Sequence, residues 1–368
     1  WFVKQDVLSL GKLRASYGIT GNDQIGNYQY LDSYDSSGNN YQGIPGLQPS
    51  RLYNPDFGWE TNKKLEFALE TGFLQDKIQF TAGWYRNHSS NQLVGVPMPG
   101  TTGFPSLQAN LDATVENKGI ELTLQTTNIQ TKDFSWTTDF NFTSVKNKLL
   151  SFPGLENSTY SNQYVIGQPL NIIKLFHYTG LDSQSGIYTF EDINGDGSIN
   201  SPSDKQVLLN LNPKFYGGVQ NQFRYKNWQL DFLLQFVKQD KIDPRKIIGV
   251  PGEMGNRSTQ ILDHWSVPGD SGAVQLYTTG VNSDVESAFF NYAASDAVIT
   301  DASYIRLKNL QLSYNLPAKC IGNTKCRFYL QGENLLTFTS FKGPDPEFRA
   351  VGTLPPLRIL TIGTQISF

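Results

Sequence analysis

One stretch of this sequence has residue types and spacing that could hold a ligand: Asp192-Ile-Asn194-Gly-Asp196-Gly197-Ser198-Ile199-Asn200. Side-chain oxygens at its first, third and fifth places can converge on a hard cation, and glycine at the sixth supplies the sharp turn. Ser198 offers a backbone carbonyl, Asn200 belongs to the same oxygen set, and Ile199 would anchor the loop by packing. An EF-hand carries a bidentate Glu at the twelfth place. Here that place holds Ser203, with Pro202 before it and Asp204 one residue further on. Asp204 could still close a distorted loop. The expectation is a structural calcium ion, or another divalent cation, on Asp192, Asn194, Asp196, Ser198, Asn200 and Asp204. The alternative is an Asx- and Gly-rich turn with no metal.

Nothing else in the chain suggests bond-making chemistry, and the expectation is a protein that is not an enzyme. Glu66 and Glu70 lie four apart on a strand-like segment, which puts them on one wall as ordinary polar lining. His88, His177 and His264 are scattered and near neither cysteine in sequence, so no zinc site assembles from them. Cys320 and Cys326 could bridge a short turn or remain two thiols. Tyr28, Tyr30, Tyr34 and Tyr41 could stack on sugar rings, although interfacial packing explains them as well. A net charge of −3 gives no electrostatic case for nucleic acid.

The elements that would carry these residues are strands. Trp228–Lys238 sets Leu230, Phe232, Leu234 and Phe236 against Gln229, Asp231 and Gln235. Thr61–Leu74 sets Leu65, Phe67, Leu69 and Phe73 against Glu66, Glu70 and Gly72, and Phe134–Lys148 sets Trp136, Phe140 and Phe142 against Ser135, Thr137, Asp139 and Asn141. Period-2 alternation predicts further strands over Lys12–Thr20, Lys77–Gln92, Thr114–Thr126, Phe215–Tyr225, Ser303–Asn315, Cys326–Thr337 and Arg358–Phe368. In Ser303–Asn315 the phase changes between Leu307 and Leu310, which predicts a bulge near Lys308–Asn309.

Connections alternate between short and long. Gln75–Asp76, Thr127–Asp133, Lys226–Asn227 and Leu316–Lys325 are short; Gly21–Glu60, Leu93–Ala113, Leu149–Lys214, Gln239–Ala302 and Phe338–Leu357 are long. Short turns at one end and long loops at the other are the habit of an outer-membrane barrel. Composition agrees. Charged residues make up 17% of the chain, against about 25% in ordinary soluble proteins. Aromatic residues reach 13%, yet the mean hydropathy is −0.38, as a wall with one apolar and one neutral polar face requires. Apolar runs are too short for a transmembrane helix. The expected fold is therefore all-β, an antiparallel transmembrane barrel wall of about ten strands, with Tyr17, Trp84, Trp136, Tyr225 and Tyr314 in its interfacial girdles. A secreted glycan-binding β-sandwich is the alternative, because half-buried strands read the same way.

The last segment places Leu360, Ile362, Ile366 and Phe368 on one parity and stops at the phenylalanine. Counting back from a periplasmic Phe368 puts the four short turns in the periplasm and the five long loops outside. The chain opens Trp1-Phe-Val-Lys with no leader, so it is expected to be the C-terminal portion of a larger barrel over residues 1–368, with first strands and plug upstream.

Several stretches carry a family resemblance: Leu13-Arg-Ala-Ser-Tyr-Gly-Ile-Thr-Gly-Asn22, Asn54-Pro-Asp-Phe-Gly-Trp-Glu-Thr-Asn-Lys-Lys64, Val115-Glu-Asn-Lys-Gly119, the Asp192–Ile199 loop, Asn212-Pro-Lys-Phe-Tyr-Gly-Gly218, Tyr304-Ile-Arg-Leu-Lys-Asn-Leu310 and Glu333-Asn-Leu-Leu-Thr337. Together they resemble SusC/RagA-type TonB-dependent outer-membrane transporters, in order and spacing over nearly the whole chain. The resemblance implies a plugged barrel of about 22 strands, a SusD-like surface lipoprotein as lid, contact with the TonB complex through an upstream segment, and import of an oligosaccharide or peptide. The extra residue before Asp204 and the absence of upstream hallmarks depart from the pattern. A passive porin-like channel remains the other reading of the same wall.

Overall fold

A computed structural model describes residues 7–22, 27–28, 31–104, 106–317, 325–348 and 354–368. Ten strands form one sheet in chain order: β1 (Leu8–Asn22), β2 (Glu60–Phe73), β3 (Ile78–Ser90), β4 (Thr114–Gln130), β5 (Phe134–Ser151), β6 (Phe215–Tyr225), β7 (Trp228–Lys238), β8 (Tyr304–Asn315), β9 (Lys325–Thr339) and β10 (Ile359–Ser367). Every neighbouring pair is antiparallel. All ten predicted strands are present. A β-sandwich needs two packed sheets, whereas these strands share one sheet and the other paired elements are two-stranded. No helix among the described residues is long and apolar enough to cross a membrane.

Register turns the alternation of single strands into two continuous faces. One rung runs Leu13, Leu69, Ala82, Leu122, Phe142, Gly217, Phe236, Ile305 and Phe338 across β1 to β9. One residue along, the rung reads Lys12, Glu70, Thr81, Thr123, Asn141, Gly218, Gln235, Arg306 and Thr337. Since successive side chains point to opposite faces, the sheet has an apolar side and a polar side along its full width. Many large residues of the apolar side stay exposed, among them Leu13, Ile120, Leu330 and Ile362. A soluble sheet would cover them; lipid does so for a membrane wall.

The bulge falls where the phase change predicts it. Leu233 pairs with Asn309 and Leu234 with Leu307, which leaves Lys308 as the extra residue. A second irregularity was hidden in the sequence. β4 continues past the predicted end at Thr126 because the ladder skips Asn128 and resumes with Ile129 opposite Trp136. The Asn128 amide donates to Thr138 Oγ1 at 2.8 Å, so the skipped residue is held by its own side chain.

Aromatics gather at the short-turn end of the apolar face. Trp136 stacks on Phe223 at 5.3 Å, Trp228 meets Tyr314 at 4.7 Å, and Tyr225 pairs with Trp228 and Phe134 across the two ladders. Of the predicted girdle residues, Trp136, Tyr225 and Tyr314 lie at this end, while Tyr17 lies toward the long-loop end and Trp84 midway along its strand.

The long connections are not plain loops. Ser33–Tyr41 pairs with Ile44–Arg51, and Gln92–Pro97 with Ser106–Leu111. The connections after β5 and β7 fold together: Tyr178–Leu181 pairs with Tyr188–Phe190, and helix α1 (Ser283–Ala293) packs beside them, with Tyr188, Val250, Ala288 and Phe289 as a buried core. α1 starts where the Asn282 side chain accepts from the Asp284 and Val285 amides as its N-cap.

Candidate functional site

The polar face is built from amides and carboxylates that bind one another. Its rungs include Thr137, Gln222, Asp231, Gln311, Gln331 and Thr361 across β5 to β10. Gln222 donates to Asp231 Oδ1 at 2.8 Å and Gln229 to Asp231 Oδ2 at 2.9 Å; Gln331 donates to Glu333 Oε1 at 3.0 Å. Arg327 donates to Ser313 Oγ at 3.0 Å. Glu66 and Glu70 join this wall, with Arg14 reaching Glu70 at 2.5 Å. Such a face offers many donors and acceptors of mixed sign, which suits reversible contact with a neutral polar solute better than capture of one ion.

At the long-loop end, a tight ionic anchor crosses the wall. Arg306 on β8 is 1% exposed. It donates to Glu347 at 2.6 Å, to Asp345 at 2.6 Å and to Thr337 Oγ1 at 2.9 Å. Between the two acids, the Pro346 carbonyl accepts from Gln239 Nε2 at 2.6 Å and also from Lys241, whose ammonium reaches the Phe348 carbonyl at 3.2 Å. The bulged Lys308 adds a contact to Glu347 at 3.3 Å. The connection after β9 is thus pinned from two sides at residues 345–348. Sequence reading missed this cluster: Arg306 looks like one polar lining residue, and its acids stand 39 and 41 positions away.

The Asp192 loop is ordered by its own backbone. Asp192 accepts from the amides of Gly195 and Gly197, each at 2.8 Å. Asn194 accepts from the Asp196 amide at 3.2 Å, and Asp196 from Ser198 at 2.8 Å. The amide side chains of Asn194 and Asn200 also turn to Asp196, at 2.8 and 3.4 Å. The Asn194 contact, first among these, holds the Asp196 carboxyl below the usual carboxylate range. Asp204 is fully buried, and its two oxygens accept from the Ile193 and Asn200 amides at 2.9 Å each. It staples the two ends of the loop. Among the described residues, no three His, Cys, Asp or Glu side chains gather as a metal-holding group; a cation here would rely on Asp192 and Asp196 with amide and carbonyl oxygens of Asn194, Ser198 and Asn200.

The remaining candidates are dispersed. His177 Nδ1 donates to Asp296 Oδ2 at 2.7 Å, and Asp296 Oδ1 accepts from the Tyr178 amide at 2.9 Å. That carboxylate raises the His177 pKa. His264 stacks on Tyr277 at 3.8 Å, and His88 meets Glu116 at 3.1 Å. Tyr28, Tyr34 and Tyr41 are exposed, while Tyr30 lies outside the described residues. Cys326 carries no disulfide among the described residues, and Cys320 lies outside them.

Comparison with known proteins matches this architecture. Residues 5–335 match the family described as TonB dependent receptor-like, beta-barrel. The chain is 27% identical to TonB-dependent receptor P3 of Formosa agariphila, covering 99% of this chain and 40% of that protein. It is 25% identical to TonB-dependent receptor SusC of Bacteroides thetaiotaomicron, covering 100% of this chain and 39% of that one. Among solved structures, it matches a chain of the RagAB peptide transporter with a TM-score of 0.80 and 26% identity, over 99% of this chain and 41% of that chain. It therefore spans about two fifths of the length of these relatives.

Proposed function

This chain belongs to the TonB dependent receptor-like β-barrel family, and on that premise we propose that its strands are part of a transporter that takes up a polar nutrient under TonB control. Its place is the outer membrane. The observation that carries the reading is the pair of rungs one residue apart, apolar and polar across nine strands, with a folded loop assembly at the long-connection end. The apolar side faces lipid and the polar side lines a path. In that path no bond of the solute changes; the amide-rich wall exchanges hydrogen bonds with it as it passes. An oligosaccharide or a peptide fits a wall of mixed polarity, and the similarity to a chain of the RagAB peptide transporter supports the second class. The loop assembly is the surface for a SusD-like lipoprotein, and the TonB complex supplies the energy for uptake. Cells carrying the full gene are expected to accumulate labelled oligosaccharide or oligopeptide pools, and to stop when TonB is removed. Uptake that persists without TonB would make the protein a passive channel instead.

We propose also that the Asp192–Asn200 segment takes one structural calcium ion, using the lone pairs of Asp192 and Asp196 that the loop amides leave free. Calorimetric titration of the whole protein with calcium chloride should show one site, lost in the Asp192→Asn, Asp196→Asn double variant. Equal heats for both proteins would leave the loop as a self-bonded turn.

A further inference from the structure

The apolar face changes character abruptly on β2 to β5. Toward the long-loop end, the rung Phe67, Trp84, Ile120, Ser144 is followed by Leu65, Arg86, Lys118, Lys146, and then by Lys63, His88, Glu116, Lys148. All of these share the outward parity of the lipid-facing rungs. On β5, eleven residues run from Phe134 to Ser144 before Lys146, and a tilted transmembrane strand needs about 9–11. The basic rungs therefore stand directly above the hydrocarbon, at headgroup height, on the side turned away from the solute path.

The cluster is built and unbalanced. Glu116 is 3% exposed. It accepts from Arg86 at 2.6 Å, contacts His88 at 3.1 Å and pairs with Lys118 at 3.0 Å, fixing three side chains around one acid. Lys63, Lys146 and Lys148 are exposed and form no ion pair among the described residues. The rest of the wall does not share this excess. Near the same end, Lys238 pairs with Asp301 and Lys214 with Asp240, each at 2.7 Å.

We propose that this outward basic patch binds the phosphorylated headgroup of an anionic outer-leaflet glycolipid. Cations at the edge of a lipid-facing surface meet anionic headgroups at short range, where each Lys or Arg contributes substantially; Arg adds paired donors for phosphate oxygens. The acyl chains of the same lipid would lie against Trp84, Ile120 and Phe142 directly below. The inference needs the membrane setting and does not depend on what is transported.

The test is lipid retention by the full protein in nanodiscs containing phosphatidylcholine with a small fraction of lipid A, read by native mass spectrometry. Wild-type protein should retain lipid A, and the Lys63→Ala, Lys146→Ala, Lys148→Ala variant should retain at least about tenfold less. Heat-modifiable gel mobility of the variant confirms that its barrel is intact. Equal retention by both proteins overturns the proposal. So does displacement of lipid A by millimolar inorganic phosphate, which would mark a free-anion site. Solute uptake measured on the same variant stays unchanged, so failure here is separable from failure of the transport reading.

Discussion

Replacing Arg306 with alanine is expected to detach residues 345–348 from the wall and to destabilise that end of β8 and β9. The guanidinium is 1% exposed and shares two acids, Asp345 and Glu347, at 2.6 Å each. Removing one partner of a buried ion pair typically costs about 3–5 kcal/mol, because the other charge stays buried without compensation. Asp345 is the acid left in that position, since Glu347 is a third exposed and keeps Lys308. The loss is bounded by the second attachment: Gln239 and Lys241 still hold the Pro346 carbonyl. Hydrogen exchange on the full protein should show lost protection at 345–348 with little change at 239–241. Arg306→Lys should fall between, because an ammonium keeps the charge and loses the fork that spans both acids. Unchanged exchange at 345–348 in the alanine variant would show that the carbonyl contacts alone anchor the loop.

How much of this could be read in the sequence depends on the range of the interaction. Alternation is a local property, and it located all ten strands. The Lys308 bulge was also legible, since Ile305 and Leu307 fall out of phase with Leu310 and Leu312 within one segment. The Asn128 bulge was not, because a polar residue between Thr127 and Ile129 looks like the start of a turn until Trp136 is known to lie opposite. The paired acids of Arg306 lie on another strand's connection, with no spacing to betray them. The basic patch is intermediate: Lys146 and Lys148 show their common parity on one strand, but their neighbours Lys118 and Arg86 join only through register. The loop core of Tyr188, Phe289 and Val250 draws on two connections far apart in the chain, so each looked like an unstructured link.

Valine at Gly217 is expected to block assembly of the wall, with an effect larger than any side-chain deletion on either face. Gly217 lies in the apolar rung between Phe142 and Phe236. A β-carbon there would stand 2.1 Å from the Asn141 carbonyl oxygen and 2.5 Å from Phe236 Cζ. The ring can rotate away; the carbonyl belongs to the β5 backbone and cannot. Relief requires β5 and β6 to separate, which opens ladder bonds that lipid cannot replace, at several kcal/mol for each group left unpaired. Two controls make the cause visible. Gly83 sits in the same sheet, and its added β-carbon would meet only the Glu121 carbonyl oxygen at 3.8 Å, so Gly83→Ala should fold normally. Phe236→Ala combined with Gly217→Ala should not restore folding, since the nearer obstacle is the backbone. The readout is the fraction of whole protein that migrates as a heat-modifiable folded band after extraction from membranes. A full folded band for Gly217→Val would mean that β5 and β6 are not paired in the register that sets Phe142 opposite Gly217. The two continuous faces would then lose their middle, because every rung from β1 to β9 passes through that pair.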